Sequence, residues 1–256
     1  MHDLGAPGAP TLLLVHGLTE SAAAWPDAVA RWGSRWHLLL PDLRGHGMSP
    51  RFVLDDLHRT PDVWLADLVG VLRSLPEPPI VVGHSLGGLL ALRAATQGEG
   101  LVRALVLEDP ARPTGSWTPS AEFSEAQEDL LDRFVTEDDR AAERARMRVE
   151  SSWSPAEIDG WAASKPLVDR RMIRRGLFLG DPDLEARLAR VAVPTLVVAP
   201  EDGRRAPTSV SNAGVLLVTL AGVGHCVRRD DPEAFHAVVD PFLDAHRLPG
   251  PAASLP

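Results

Sequence analysis

A serine between two glycines, where an apolar run meets a leucine-rich stretch, carries the strongest chemical signal in this chain. The segment reads Val81-Val82-Gly83-His84-Ser85-Leu86-Gly87-Gly88. The valines end a strand pattern and the residues after Ser85 open a helix pattern. Gly-x-Ser-x-Gly in that setting is a nucleophile elbow, a turn sharp enough to hold the serine in strained backbone geometry with its hydroxyl exposed. Gly83 and Gly87 flank it because side chains there would clash across the turn. The chemistry open to such a serine is attack on a carbonyl carbon, the first step of hydrolysis or acyl transfer.

A hydroxyl needs an adjacent base to take its proton. Of the nine histidines, His225 is the best placed, in the glycine-rich loop Ala221-Gly222-Val223-Gly224-His225-Cys226 after the last apolar run. Sites of wound α/β sheets gather at loops on the C-terminal ends of strands. His84 adjoins the serine, but at an elbow its side chain faces the other way. His16, His37 and His46 read as holding loop structure, and His2, His58, His236 and His246 as surface residues. Two backbone donors are expected for the oxyanion of the transition state. One is the N–H of Leu86, at a helix N-terminus where the dipole helps. The other is the N–H of Leu18, in His16-Gly17-Leu18-Thr19, where Gly17 lets the backbone turn it inward.

Six short apolar runs must position these residues: 11–15, 37–40, 80–82, 104–107, 195–199 and 215–220. They alternate with helical patterns, which predicts an α/β fold with a mostly parallel sheet wound with helices. Residues 61–75 place Val63, Leu65, Leu68, Val71, Leu72 and Leu75 on one side. Residues 86–96 form the helix behind the elbow, and 232–246 a closing helix with Phe235, Val238, Val239 and Phe242 inward. Residues 113–189 break the rhythm. They are charge-rich and helical, as at Glu137-Asp138-Asp139-Arg140, yet carry Trp117, Phe123, Phe134, Trp153, Trp161 and Phe178. They read as a helical cap inserted after the strand ending near Asp109, leaving 1–112 and 190–256 as the α/β core. Most cap aromatics are expected to pack among themselves or on the core, and a few to line a substrate cavity. The end of the chain, from Pro249, reads as a loose tail.

Composition narrows the function classes. A formal charge of −9 over 256 residues supplies no basic stripe for nucleic acid. The single cysteine, Cys226, allows no internal disulfide and reads as a small apolar filler. The start of the chain lacks a secretory pattern and no apolar run spans a bilayer, so the expected location is the cytoplasm. There is no metal-ligand spacing such as His-Glu-x-x-His and no Gly-x-Gly-x-x-Gly, so neither a metal nor a cofactor is expected. Arginine far outnumbers lysine, with Lys165 the only lysine.

Four motifs occur in one order: His16-Gly17; Pro41-Asp42-Leu43-Arg44-Gly45-His46-Gly47-Met48-Ser49; Gly83-His84-Ser85-Leu86-Gly87-Gly88; and Gly224-His225. Together they resemble the α/β-hydrolase family, from about Thr11 to Phe242 apart from the cap, and within it a serine esterase-like or lipase-like member. The resemblance implies that the Asp42–Arg44–His46 loop is mainly structural. It also implies an N-terminal β-hairpin, for which the ten residues before the first run are too few, so the hairpin is expected to be shortened or absent and a strand edge to need cover. A catalytic carboxylate must hold the imidazole. The family's usual acid position falls on Gly203, with Glu201 and Asp202 just before it. Some members, resembling haloalkane dehalogenases, carry the acid after the strand that follows the elbow helix, where this chain has Glu108-Asp109-Pro110. Asp109 is preferred, with Asp202, and then Glu201 or Glu108, as alternatives.

The residues therefore point to hydrolysis of a small-molecule carboxylic ester, thioester or lactone by Ser85, His225 and Asp109. Carbon–carbon hydrolysis or cofactor-free perhydrolysis would use the same three residues. Epoxide hydrolysis and dehalogenation are disfavoured, since the family members that perform them carry Asp where Ser85 stands. A ligand receptor on the same fold is the reading from another class, against which an intact nucleophile and base count.

Overall fold

The computed structural model describes residues 1–98, 100–112, 121–174, 184–203, 207 and 209–247. Seven strands form one sheet: β1 (His2–Gly5), β2 (Thr11–Val15), β3 (His37–Leu40), β4 (Ile80–His84), β5 (Ala104–Glu108), β6 (Thr195–Pro200) and β7 (Val215–Leu220). Their order is β1-β3-β2-β4-β5-β6-β7. The six strands on the apolar runs are parallel. β1 pairs antiparallel with β3, with His2 opposite Leu40 and Gly5 opposite His37. β1 thereby covers an edge of β3, where a strand edge was expected to need cover. Four exposed residues with no apolar alternation gave no strand signal of their own.

Each central strand is buried on both faces, which is why it reads as an unbroken apolar run. Successive side chains alternate across the sheet. Leu13, Val15, Val81, Leu105 and Val197 join one apolar layer, and Leu12, Leu14, Val82, Val106 and Val198 the other. Helix α1 (Pro26–Trp32), not foreseen from the pattern, packs in the second layer through Ala28 and Trp32. Helices α2 (Thr60–Ser74) and α3 (Leu86–Gln97) lie on the first. Leaving β2, the chain passes outward to β3 and then back to β4, so the winding reverses between β2 and β4. A crevice opens at the C-terminal ends of strands at such a switch point.

Among the described residues five α-helices lie between β5 and β6: α4 (Ala121–Asp132), α5 (Glu137–Glu150), α6 (Pro155–Ser164), α7 (Arg170–Arg174) and α8 (Leu184–Arg190). Helix α5 buries none of its residues; a Thr136–Asp139 capping box starts it. Phe134, Trp161 and Ala162 form a small core with Trp153 and Met147 against it. Trp117 and Phe178 lie outside the described residues. Helix α8 leaves this group and packs on α3. After β7 come α9 (Val227–Asp230) and α10 (Pro232–Ala245). His236, expected at the surface, is buried on α10 with its ring edge-on to Trp32. Helical spacing gave the face of α10 but not the tryptophan that covers it.

Helix α6 is seated on the loop that follows β2. A Cβ added to Gly160 would lie 2.0 Å from the carbonyl oxygen of Ala23, and the hydroxyls of Ser164 and Ser21 are 2.8 Å apart. Gly160→Ala should therefore force the helix off its seat and destabilise the protein by about 1–3 kcal/mol, the usual cost of overpacking. Gly70→Ala, on an exposed face of α2 where a Cβ would meet nothing, should be neutral or stabilising by up to about 1 kcal/mol. Thermal unfolding of the two variants checks the contrast.

Candidate active site

Ser85 directly follows β4 and caps α3 with φ 50° and ψ −113°, a conformation that costs a non-glycine residue about 1–3 kcal/mol. Neighbouring backbone holds it there. Its N–H donates to Glu108 O (2.9 Å), and its carbonyl accepts from Leu89 N (3.0 Å) and Ala111 N (2.9 Å). Both flanking glycines are required by space. A Cβ on Gly87 would sit 2.1 Å from Val15 O, and one on Gly83 2.6 Å from the Gly87 carbonyl. The turn is as tight as the motif implies.

Asp109 follows β5, the strand beside β4, with φ 35° and its N–H on Val198 O (2.8 Å). His225 comes in from the loop after β7. Its Nδ1 lies 2.5 Å from Oδ2 of Asp109, whose side chain is 3% exposed. With Nδ1–H donated to the carboxylate, Nε2 is the nitrogen that carries the lone pair. The other candidate acids are elsewhere. Glu201 and Asp202 are exposed on the turn after β6. Glu108 accepts the backbone N–H of Arg228 at 2.8 Å.

Leu18 and Leu86 lie at the same end of adjacent strands, since Val15 of β2 pairs with Gly83 of β4. Gly17 meets two demands at once. Its N–H donates to Oε2 of Glu20 (3.2 Å), and a Cβ on it would lie 2.7 Å from Nδ1 of His84. The 42–49 loop is structural. Asp42 accepts from Ala22 N (2.7 Å) and Met48 N (2.9 Å), and Arg44 pairs with Asp67 (2.8 Å). His16 Nε2 accepts from Leu43 N (3.0 Å). Burial pushes the pKa of His16 down, and that of His46 well down with help from His16.

The sequence reading missed what lies beneath these groups. His84 does not simply face away. Its ring centroid is 4.8 Å from that of His225, its Nε2 is 3.1 Å from His225 O, and its Nδ1 is 3.2 Å from Glu20 Oε2. Both partners are acceptors, so both ring nitrogens must donate and the ring is an imidazolium. Burial opposes that charge, but Glu108, Cys226 and Glu20 outweigh it and hold the pKa well above the usual histidine range. Burial likewise opposes the charge on Glu20, yet Arg229, His84 and Lys165 hold its carboxyl well below the usual range.

Arg229 Nη1 donates to Glu20 Oε1 (2.5 Å), and its Nε to Glu157 Oε2 (2.7 Å). Arg228 Nη1 donates to Glu157 Oε1 (2.5 Å). Both guanidiniums also donate to Ala24 O at 3.0 Å. Aromatics from the stretch between β5 and β6 cover cations: Trp153 lies 4.8 Å from the Arg229 guanidinium, and Trp161 5.2 Å from Nζ of Lys165. Adjacent arginines on the helix after the candidate base, and a lone lysine, were the available signals.

Comparison with known proteins places the chain in a family. A model of the alpha/beta hydrolase family matches residues 12–238. The chain is 31% identical over 235 residues to the pimeloyl-[acyl-carrier protein] methyl ester esterase of Xanthomonas campestris pv. campestris, covering 84% of this chain and 88% of that protein. It is 28% identical over 264 residues to 2-(acetamidomethylene)succinate hydrolase of Mesorhizobium japonicum, covering 92% and 88%. The crystal structure of N-formylmaleamic acid deformylase from Pseudomonas putida S16 superposes with a TM-score of 0.73 at 22% identity, over 93% of this chain and 94% of that one, and so has the same fold. Among the described residues no helix is long and apolar enough to cross a membrane. The family match takes in the elbow, the neighbouring strand tips and the closing histidine loop, and the chain belongs to the α/β-hydrolase family.

Proposed function

We propose that the chain is a serine hydrolase that cleaves a small-molecule carboxylic ester, thioester or lactone through an acyl-enzyme on Ser85. One observation carries the reading. The His225 imidazole is bound through Nδ1 to a buried carboxylate, Asp109, at the tip of the strand next to the one that leads into Ser85. The Ser85 hydroxyl attacks the acyl carbon while Nε2 of His225 takes its proton. That proton passes to the departing alcohol or thiol. Asp109 keeps Nδ1 protonated and stabilises the imidazolium formed at each step. The N–H groups of Leu18 and Leu86 receive the oxyanion, and donors of this kind are worth about 10²–10³ in rate each. Water, deprotonated by His225, then releases the acid and restores the serine. A relative named as a methyl ester esterase supports ester bonds as the target class.

The relative named as a pimeloyl-[acyl-carrier protein] methyl ester esterase favours an acyl group of several methylenes. Lengthening p-nitrophenyl acetate toward the hexanoate should raise kcat/KM by up to about fourfold per methylene, the transfer free energy of one buried CH₂. A flat or falling series would contradict that preference.

With the best ester of the series, Asp109→Asn should lower kcat by about 10⁴-fold, as losing a triad acid does in serine proteases. Asp202→Asn, on an exposed turn, should leave it unchanged. Retained activity in the first variant and collapse in the second would assign the acid to Asp202.

A further inference from the structure

Lys165 is 4% exposed and opens the short turn Lys165–Leu167 directly after α6. Its Nζ donates to Thr19 O (3.0 Å) and Thr19 Oγ1 (3.1 Å). Thr19 has φ 60°, left-handed backbone that a β-branched residue adopts only when its surroundings impose it. A third contact reaches Thr19 from the 42–49 loop, its N–H lying 3.4 Å from Nε2 of His46. His46 is held neutral by burial, so that nitrogen accepts. Thr19 directly follows Leu18, and the seat of α6 on Ser21 and Ala23 grips the same loop two to four residues on. For packing alone an apolar side chain would serve, since burying an ammonium costs free energy unless acceptors receive it.

We propose that Lys165 is a positioning residue: it clamps Thr19 in its left-handed conformation and thereby fixes the N–H of Leu18 as an oxyanion donor. The oxyanion hole is then completed by a residue of the helical insertion. The inference rests on the acyl-transfer reading above and assigns that site a fourth contributing side chain.

The clamp has a pH signature. Glu20 from the same loop, Arg229 and Cys226 from the segment after His225, and Arg133 just beyond α4 face the ammonium, whose pKa burial lowers to about 8 against the pull of Glu20. As pH rises through that value the charge-assisted donors to Thr19 weaken. An unfolded lysine keeps its proton to about 10.4, so between the two values this group's contribution to fold stability rises with pH. Activity lost there through Lys165 is not activity lost by unfolding.

The test is kcat and KM for a p-nitrophenyl ester, with thermal unfolding, for wild type, Lys165→Met and Lys165→Arg. Lys165→Met should lower kcat about 10- to 100-fold, less than outright loss of a donor, with KM changed by under about threefold. Lys165→Arg, which keeps charge and donors, should recover most of that loss. Wild-type kcat should fall with an alkaline midpoint near 8, a limb that Lys165→Met lacks. A folded Lys165→Met enzyme with wild-type kcat overturns the clamp and leaves the hydrolase reading standing. Should that variant not fold, the wild-type profile decides: a limb near 8 supports the clamp, and kcat flat to about pH 9.5 overturns it. Wild type without turnover of any ester overturns the hydrolase reading, and the clamp with it.

Discussion

Three carboxylates and two guanidiniums run in a line through the interior, Glu20, Arg229, Glu157, Arg228 and Glu108, each with a side chain at most 5% exposed. They belong to four parts of the chain: the loop after β2, helix α6, helix α9 and the end of β5. No single segment could bury its own charges, so the segments must come together or none can fold as it does. Buried ion pairs add little net stability over an apolar core, but removing one member costs about 3–5 kcal/mol because its partner is stranded. The line therefore acts as a geometric constraint more than as a source of free energy. Arginine suits it better than lysine. One planar group forks to two carboxylates and a carbonyl while its face lies on an aromatic ring, as Arg229 does on Trp153 at 4.8 Å from the centroid.

This constraint bears on the site because its members are the immediate neighbours of the chemical groups. Arg228 and Arg229 follow His225 by three and four residues, Glu20 follows Leu18 by two, and Glu108 precedes Asp109. His84 joins the two loops from the inside, between the Glu20 carboxylate and the His225 carbonyl. Among the described residues, the non-glycine positions with positive φ are Thr19, Ser85 and Asp109. These follow three adjacent strands, β2, β4 and β5, at the point where the winding reverses. Strain of this kind persists only where the surroundings over-determine it, and here they do. Backbone bonds fix Ser85 and Asp109, and Lys165 with His46 fixes Thr19.

Much of this was legible in the sequence. The six parallel strands could be read because burial on both faces makes each an unbroken apolar run, and the elbow because its glycines have no room for a side chain. Asp109 could be proposed because it stands at a strand tip beside the serine's strand. β1 could not be read, since its pairing is all backbone and its side chains face solvent. The ion line was equally hidden. A sequence gives the charge of Glu157 or Arg229 but not its burial, and a helix carrying both charged and aromatic residues looks like a surface helix until its partners are known. The contacts of His84 were hidden for a related reason: facing away from the serine also means facing the loop that carries the base.

Every role proposed for the site depends on Ser85 being a nucleophile activated by His225. The most direct measurement is reaction with a fluorophosphonate probe followed by peptide mass spectrometry, on wild type and on His225→Ala. The expected result is a single adduct on Ser85 that forms in the wild type and is lost in the variant. A folded wild-type protein that leaves Ser85 unmodified, or an adduct that forms equally fast without His225, would contradict it.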